Sequence, residues 1–243
     1  MSGPDGRVVA IRALIAGEDL AGDVDGVVGW LRRLCAAAAR TLPASGVGVS
    51  VMSEDGMRGV AAVSDPVAET LEELQFALGE GPCIEAFASR RPVLAPDLGH
   101  GGWARWLGYA PAALAQGVGA VFAFPLQVGA ARLGVMDIYR HSPGVLSQES
   151  LAQALTFAEV AVEMLLDAQG KAVIGQAAAG LDRALDSHYV IYQAQGMTMV
   201  DLGVPLADAL ARLRAHAYAH ERPLQEIARE IVAGQLRLTP DPS

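Results

Sequence analysis

Apolar positions along the chain change period several times, and each change marks an element. From Asp25 to Leu42 the residues Val27, Val28, Trp30, Leu31, Leu34, Cys35 and Ala38 follow helical spacing, with Asp25 as the N-cap and Pro43 as the stop. Val47 to Met52 then alternates apolar and small residues, Asp55-Gly56 marks a hairpin turn, and Gly59 to Ser64 reads as the return strand. Helical period returns over Val67 to Leu78 and is broken by Gly79-Glu80-Gly81-Pro82. A helix from Cys83 to Ser89, a short strand Val93 to Ala95, a loop from Pro96 to Trp106 and a helix from Pro111 to Gln116 come next. Two strands, Ala120 to Val128 and Arg132 to Arg140, carry strong β-formers such as Val121, Phe122, Phe124, Val135, Ile138 and Tyr139. A helix over Ser147 to Leu166 closes this part, with Leu151, Leu155, Ala158, Val162 and Leu165 on a heptad-like seam. The pattern predicts an α+β fold with a mainly antiparallel sheet flanked by helices.

Beyond it the composition shifts. Residues 169–186 are rich in Ala and Gly, and glycines 170, 175 and 180 each cost a helix about 1 kcal/mol against Ala, so this stretch reads as a soft helical connector. Three short amphipathic segments follow: Val190 to Met199, Leu206 to Arg214, and Arg222 to Ala228. Gly203 is expected to cap the first, Pro205 to take the N1 position of the second, and Pro223 to open the third. The expected layout is a lead at 1–24 (mobile or a short helix), an α+β domain at 25–168, the connector at 169–186, and a three-helix module at 187–238.

Two resemblances attach to these segments. The run Leu78-Gly79-Glu80-Gly81-Pro82-Cys83-Ile84-Glu85-Ala86-Phe87, followed by Pro92-Val93, Pro96-Asp97-Leu98, and Gly117 to Pro125 with Leu133-Gly134-Val135-Met136-Asp137-Ile138-Tyr139, resembles a GAF sensory domain. The tail, with Ile191, Ala194, Gly196, Met197 and Met199, then Leu206, Ala209, Leu210, Leu213 and Arg214, then Leu224, Ile227, Ala228 and Ile231, resembles the ANTAR domain of bacterial antitermination regulators. Two departures from that pattern stand out: Gln195 where the family has Lys, and Thr198 in place of an aliphatic residue. The first resemblance implies a small-molecule pocket whose wall would include Cys83, Asp97, Trp103, Trp106, Phe122 and Phe124. The second implies contacts to RNA, with Gln195, Gly196, Thr198, Arg212, Arg214, His216, Tyr218, His220 and Arg222 as candidates. Together they imply a cytoplasmic homodimer that grips tandem hairpins in nascent RNA, with no role for DNA or a membrane.

Composition bounds that picture. With 52% apolar residues and a mean hydropathy of +0.30, the 243-residue chain has ample material for a packed core. No apolar run reaches the roughly 18 residues of a membrane helix, and the N-terminus lacks the apolar stretch of a signal peptide. The net charge of −9 is unevenly spread: residues 1–170 hold 11 Lys+Arg and 19 Asp+Glu, whereas residues 171–243 hold 7 and 8. A tail so close to neutral lacks the basic excess that normally drives nucleic-acid affinity, which keeps a signalling or dimerisation scaffold in view as an alternative. The two cysteines have neither disulfide-framework nor metal-site spacing, and His216 and His220 lack a matching third ligand, so no metal is expected. Cys83 beside a helix N-terminus offers another alternative, a redox-sensing thiol, although free cysteine is more often simply buried. No nucleophile, base and orienting group recur together, no phosphate loop is present, and no phosphoacceptor Asp motif is apparent, so neither catalysis nor phosphorylation is expected.

Overall fold

The computed structural model describes residues 4–19, 26–52, 58–173, 181–220 and 222–239. It divides into two compact units, Met1–Arg183 and Ala184–Ser243.

In the first unit, helices α1 (Pro4–Ala16) and α2 (Val27–Thr41) lead into a hairpin, β1 (Gly46–Met52) and β2 (Arg58–Val63). Then come α3 (Pro66–Leu78), α4 (Pro82–Ser89), β3 (Val93–Ala95), an irregular turn at Leu98–Gly102 kinked at His100 and Gly101, α5 (Trp103–Arg105) and α6 (Tyr109–Ala115). The unit closes with β4 (Ala120–Val128), β5 (Ala131–Arg140) and the long α7 (Gln148–Val173). The five strands form one antiparallel sheet in the order β2-β1-β5-β4-β3.

Helices cover both faces of the sheet, α2 and α7 on one, α3 and α4 on the other. That explains why β1 is buried at every residue rather than at every second one. The lead forms a true helix, α1, that packs on α2 and α7 and is tied to α7 by an Arg12–Glu163 ion pair. The proposed N-cap Asp25 and the Asp55-Gly56 turn lie outside the described residues. At α3 the cap is plain: the Asp65 carboxylate accepts from the amides of Val67 and Ala68, with Pro66 in the first turn.

The second unit holds all but the first residues of α8 (Leu181–Leu202), together with α9 (Leu206–Ala219) and α10 (Leu224–Val232). Its core is built from stripes at helical spacing: Ile191 and Ala194 on α8, Ala209, Leu213 and Ala217 on α9, and Leu224, Ile227, Ala228 and Ile231 on α10. Gly203 follows α8 with φ +63°, the left-handed conformation expected of a helix stop. Pro205 and Pro223 occupy the N-cap positions of α9 and α10, with extended backbone, one residue earlier than the N1 position expected for Pro205. A proline suits that place because its fixed φ matches the observed −59° and −57°.

Candidate functional site

The Gly79-Glu80-Gly81-Pro82-Cys83 segment organises the interior of the first unit, and each residue has a distinct task. Gly79 ends α3 in a left-handed conformation, its amide donating to the Gln75 carbonyl at 2.8 Å. The Glu80 carboxylate reaches across to the start of α6 and accepts from the amides of Gly108 (2.6 Å) and Tyr109 (2.8 Å). Gly81, at φ +130°, occupies backbone space closed to other residues, and a Cβ there would overlap the Gln75 side chain. Pro82 opens α4, and the Cys83 amide, which the helix start would leave without a partner, donates to Gln75 Oε1 at 2.7 Å.

Gln75 joins a polar network sealed beneath α3 and α4. Its Nε2 donates to Asp137 Oδ2 (3.3 Å) and to the Tyr139 hydroxyl (3.2 Å). Tyr139 in turn donates to Glu72 Oε1 at 2.8 Å, and the Ser50 hydroxyl to Glu72 Oε2 at 2.6 Å. The Cys83 sulfur lies 4.0 Å from Glu72 Oε2. Glu72, Gln75, Ser50, Asp137 and Cys83 are all fully buried, and Tyr139 is 1% exposed. The backbone is shaped around them, since a Cβ on Gly48 of β1 would overlap the Glu72 carboxylate. Two polar atoms in this interior lack a hydrogen-bond partner, Asp137 Oδ1 and the Tyr109 hydroxyl.

The electrostatics follow from burial. Loss of water pushes the Glu72 carboxyl up, against the pull of the Ser50 and Tyr139 hydroxyls that bond its charged form. Asp137 is pushed well above the carboxylate range by burial and by facing Glu72. Among the described residues neither carboxyl has a cationic partner.

The expected pocket wall divides on inspection. Cys83 and Trp106 share the core beneath α3 and α4, where Val121 and Ala123 of β4 also point. Phe122 and Phe124 alternate with those two residues and therefore face the opposite side of the sheet, toward the α2 and α7 layer. They are core side chains of that layer and share no wall with Cys83. Trp106 is buried edge-on against Tyr109, their ring centroids 6.5 Å apart. Asp97 caps its own turn, accepting from the Gly99 and His100 amides and pairing with the His100 ring. The Trp103 side chain lies outside the described residues. Cys83 is fully enclosed, as is Cys35, whose thiol burial pushes far up. Enclosure works against a redox-sensing role, which calls for an accessible thiol.

Sequence reasoning missed Ser50, Glu72, Gln75, Tyr109, Asp137 and Tyr139. A signal existed for several of them. Glu72 and Gln75 fall on the same helical stripe as Ala68, Leu71 and Phe76, and Asp137 interrupts a continuous apolar strand.

In the second unit the RNA candidates separate sharply. Gln195 is 7% exposed, and its Nε2 donates to the Leu206 carbonyl at 2.8 Å, fastening α8 to the start of α9. Thr198 is 2% exposed. Both lie on the stripe that carries Ile191 and Ala194, so neither side chain is available to RNA. A Cβ on half-buried Gly196 would meet only open space. Arg222 forms a bidentate pair with Glu230 (3.0 and 2.6 Å) and lies 3.5 Å from Glu226. His216 and His220 stack at 4.0 Å. Tyr218 is 74% exposed, while Arg212 and Arg214 are half-buried. At 100° per residue, Arg212 and His216 lie on one flank of the buried stripe of α9, and Arg214 and Tyr218 on the other.

The chain thus places a helix-covered antiparallel sheet with a polar interior ahead of a three-helix module. The chain belongs to the GAF domain family, which it matches over residues 29–166, and residues 179–232 match the ANTAR domain. It is thus a regulator with a sensory GAF domain ahead of an RNA-binding ANTAR output. No curated protein matches the chain in sequence. Among solved structures it resembles the GAF domain from Acinetobacter phosphoenolpyruvate-protein phosphotransferase, at 13% identity and a TM-score of 0.53, covering 71% of this chain and 99% of that one. It also resembles the GAF domain of a phosphoenolpyruvate-protein phosphotransferase from Coxiella burnetii, at 15% identity and a TM-score of 0.52, covering 70% and 96%. At such identities the likeness speaks to the fold alone. Among the described residues no helix is long and apolar enough to cross a membrane.

Proposed function

We propose that this protein is a bacterial, cytoplasmic transcription antitermination regulator, acting as a homodimer whose two ANTAR modules grip tandem hairpins in nascent RNA. The observation that carries this reading is the match of residues 179–232 to the ANTAR domain, whose α9 here presents Tyr218 at 74% exposure with Arg214 one helical turn away. An arginine fork can pair phosphates, and an exposed tyrosine ring offers a stacking face to an unpaired loop base. A module whose charge sums close to zero binds weakly alone, and linking two copies raises the effective concentration of the second without new contacts. In this reading the GAF domain responds to a signal, the chain performs no catalysis, and neither DNA nor a membrane is a partner.

The test is a gel shift of the full-length chain with tandem-hairpin RNA over a salt series. Retention should weaken as salt rises, because phosphate contacts release counterions. Tyr218→Ala should lower affinity about 5- to 150-fold, the value of about 1–3 kcal/mol for one stacked base. Absence of retention at low salt would overturn the RNA reading and leave the scaffold alternative, which the near-neutral tail and the burial of Gln195 favour.

A further inference from the structure

We propose that Glu72, Asp137 and Cys83 form an interior binding site for one divalent transition-metal cation of borderline softness, zinc-like in its ligand preference. One ligand atom from each of the three lies within 4.8 Å of the other two, the one such grouping of His, Cys, Asp or Glu side chains among the described residues. They come from three separate elements, α3, the first turn of α4, and β5, so the fold itself brings them together.

An acidic cluster alone would not make a site, but Tyr109 supplies an independent sign. Its hydroxyl is fully buried, has no hydrogen-bond partner, and sits in the field of Asp137, Glu72 and Cys83. Asp137 Oδ1 is likewise without a partner. Buried polar atoms are nearly always satisfied, and an orphan hydroxyl beside a carboxyl pair that itself keeps one unsatisfied oxygen, with no cation among the described residues, calls for an additional group. Its class follows from the donors. Two carboxylate oxygens and one sulfur suit zinc and its neighbours, whereas magnesium and calcium prefer oxygen alone. The surrounding shell also has the form of a metal site's outer layer: Ser50 and Tyr139 hold the Glu72 carboxylate, and Gln75 holds Asp137. Protons carried by the carboxyls and the thiol without the cation leave to solvent when it binds.

This inference does not rest on the RNA reading, and its readouts need no RNA. The full-length chain is stripped with a chelator, then titrated with zinc or magnesium while unfolding is followed by tryptophan fluorescence. One equivalent of zinc should bind, and at a hundredfold excess over Kd the Tm should rise by about 5–10 °C. Magnesium at the same concentration should leave the Tm unchanged. Cobalt loading should give a thiolate-to-metal charge-transfer band that Cys83→Ser abolishes. Asp137→Asn, which keeps the volume and removes the charge, should lose the zinc equivalent, whereas a His216→Ala/His220→Ala double variant should keep it. The proposal is overturned if the stripped protein takes up no zinc, since protons alone would then balance the carboxyls. It is equally overturned if Asp137→Asn still binds one equivalent, or if the cobalt spectrum lacks the thiolate band. The cobalt measurement on the unaltered chain decides the matter even where a variant fails to fold.

Discussion

The glycine at position 48 offers the sharpest test of how the GAF interior is built. A Cβ there would meet Oε1, Cδ and Cγ of Glu72, so Gly48→Ala forces that side chain from its place. Moving it breaks the bonds from Ser50 (2.6 Å) and Tyr139 (2.8 Å), both fully enclosed. Overpacking of a core costs about 1–3 kcal/mol, and each buried partner left unsatisfied about 1–3 kcal/mol more. Partial repacking tempers the sum to about 3–6 kcal/mol, a large share of the roughly 5–15 kcal/mol that holds a typical domain together. At about 2–4 °C per kcal/mol, the Tm should fall by roughly 6–24 °C. Tryptophan fluorescence reads this unit alone, because all three tryptophans, Trp30, Trp103 and Trp106, lie within it. The steric cause is isolated by adding Glu72→Ala, which opens the space the new methyl needs. The double variant should be more stable than the sum of the single effects predicts, by at least about 1 kcal/mol. A Gly48→Ala melt within about 2 °C of the parent, or single effects that add within about 0.5 kcal/mol, would refute the account of Gly48 as room made for Glu72.

Other consequences can be measured on the full-length chain. Glu80→Ala removes the acceptor that joins the α3–α4 turn to the amides of Gly108 and Tyr109; it should cost about 1–2 kcal/mol by chemical denaturation monitored at tryptophan, and a loss below about 0.3 kcal/mol would disprove the capping role. Both thiols are fully buried, so a thiol reagent should label Cys35 and Cys83 only as the domain opens, and prompt labelling of the native protein would contradict their enclosure. Gln195→Ala should lower the melting of the helical signal by about 1 kcal/mol, the value of one hydrogen bond, and leave RNA affinity unchanged below that transition; a large affinity loss in a fully folded variant would reinstate Gln195 as a contact. Partial burial, followed by the charges of His220 and Arg222, lowers the His216 pKa. Its neutral form is favoured on folding, so its contribution is present above the ordinary value near 6.5 and lost as pH falls below it. Helical melts should weaken from pH 7.5 to 5.5, and His216→Gln should flatten that slope.

What could be read from the chain, and what could not, divides along a physical line. Strand pairs such as Ala120–Val128 with Ala131–Arg140 announced themselves because side-chain period and β-forming residues agree there. The three-helix tail was legible for the same reason. Its core stripe also extends to Gln195 and Thr198, at i+4 and i+7 from Ile191, so periodicity carried the information that these two residues face inward. The family pattern marks both as departures and RNA candidates, but spacing decides where a side chain points. The division of the supposed pocket has a similar origin: Phe122 and Phe124 share a face with each other by period two, but which face holds Cys83 is set by the sheet's layering. The carboxyl pair was hidden most deeply. Glu72 and Asp137 are separated by 65 positions in the sequence and meet only because β1 and β5 pair side by side beneath α3 and α4. Nothing local in either segment specifies the other. Yet both sit where an apolar residue would have been more stable, and burying an unpaired carboxyl costs a domain several kcal/mol that a leucine would not. A polar residue on an otherwise apolar stripe is therefore the sequence-level sign of a working interior, and in this chain Ser50, Glu72, Gln75 and Asp137 all carry it.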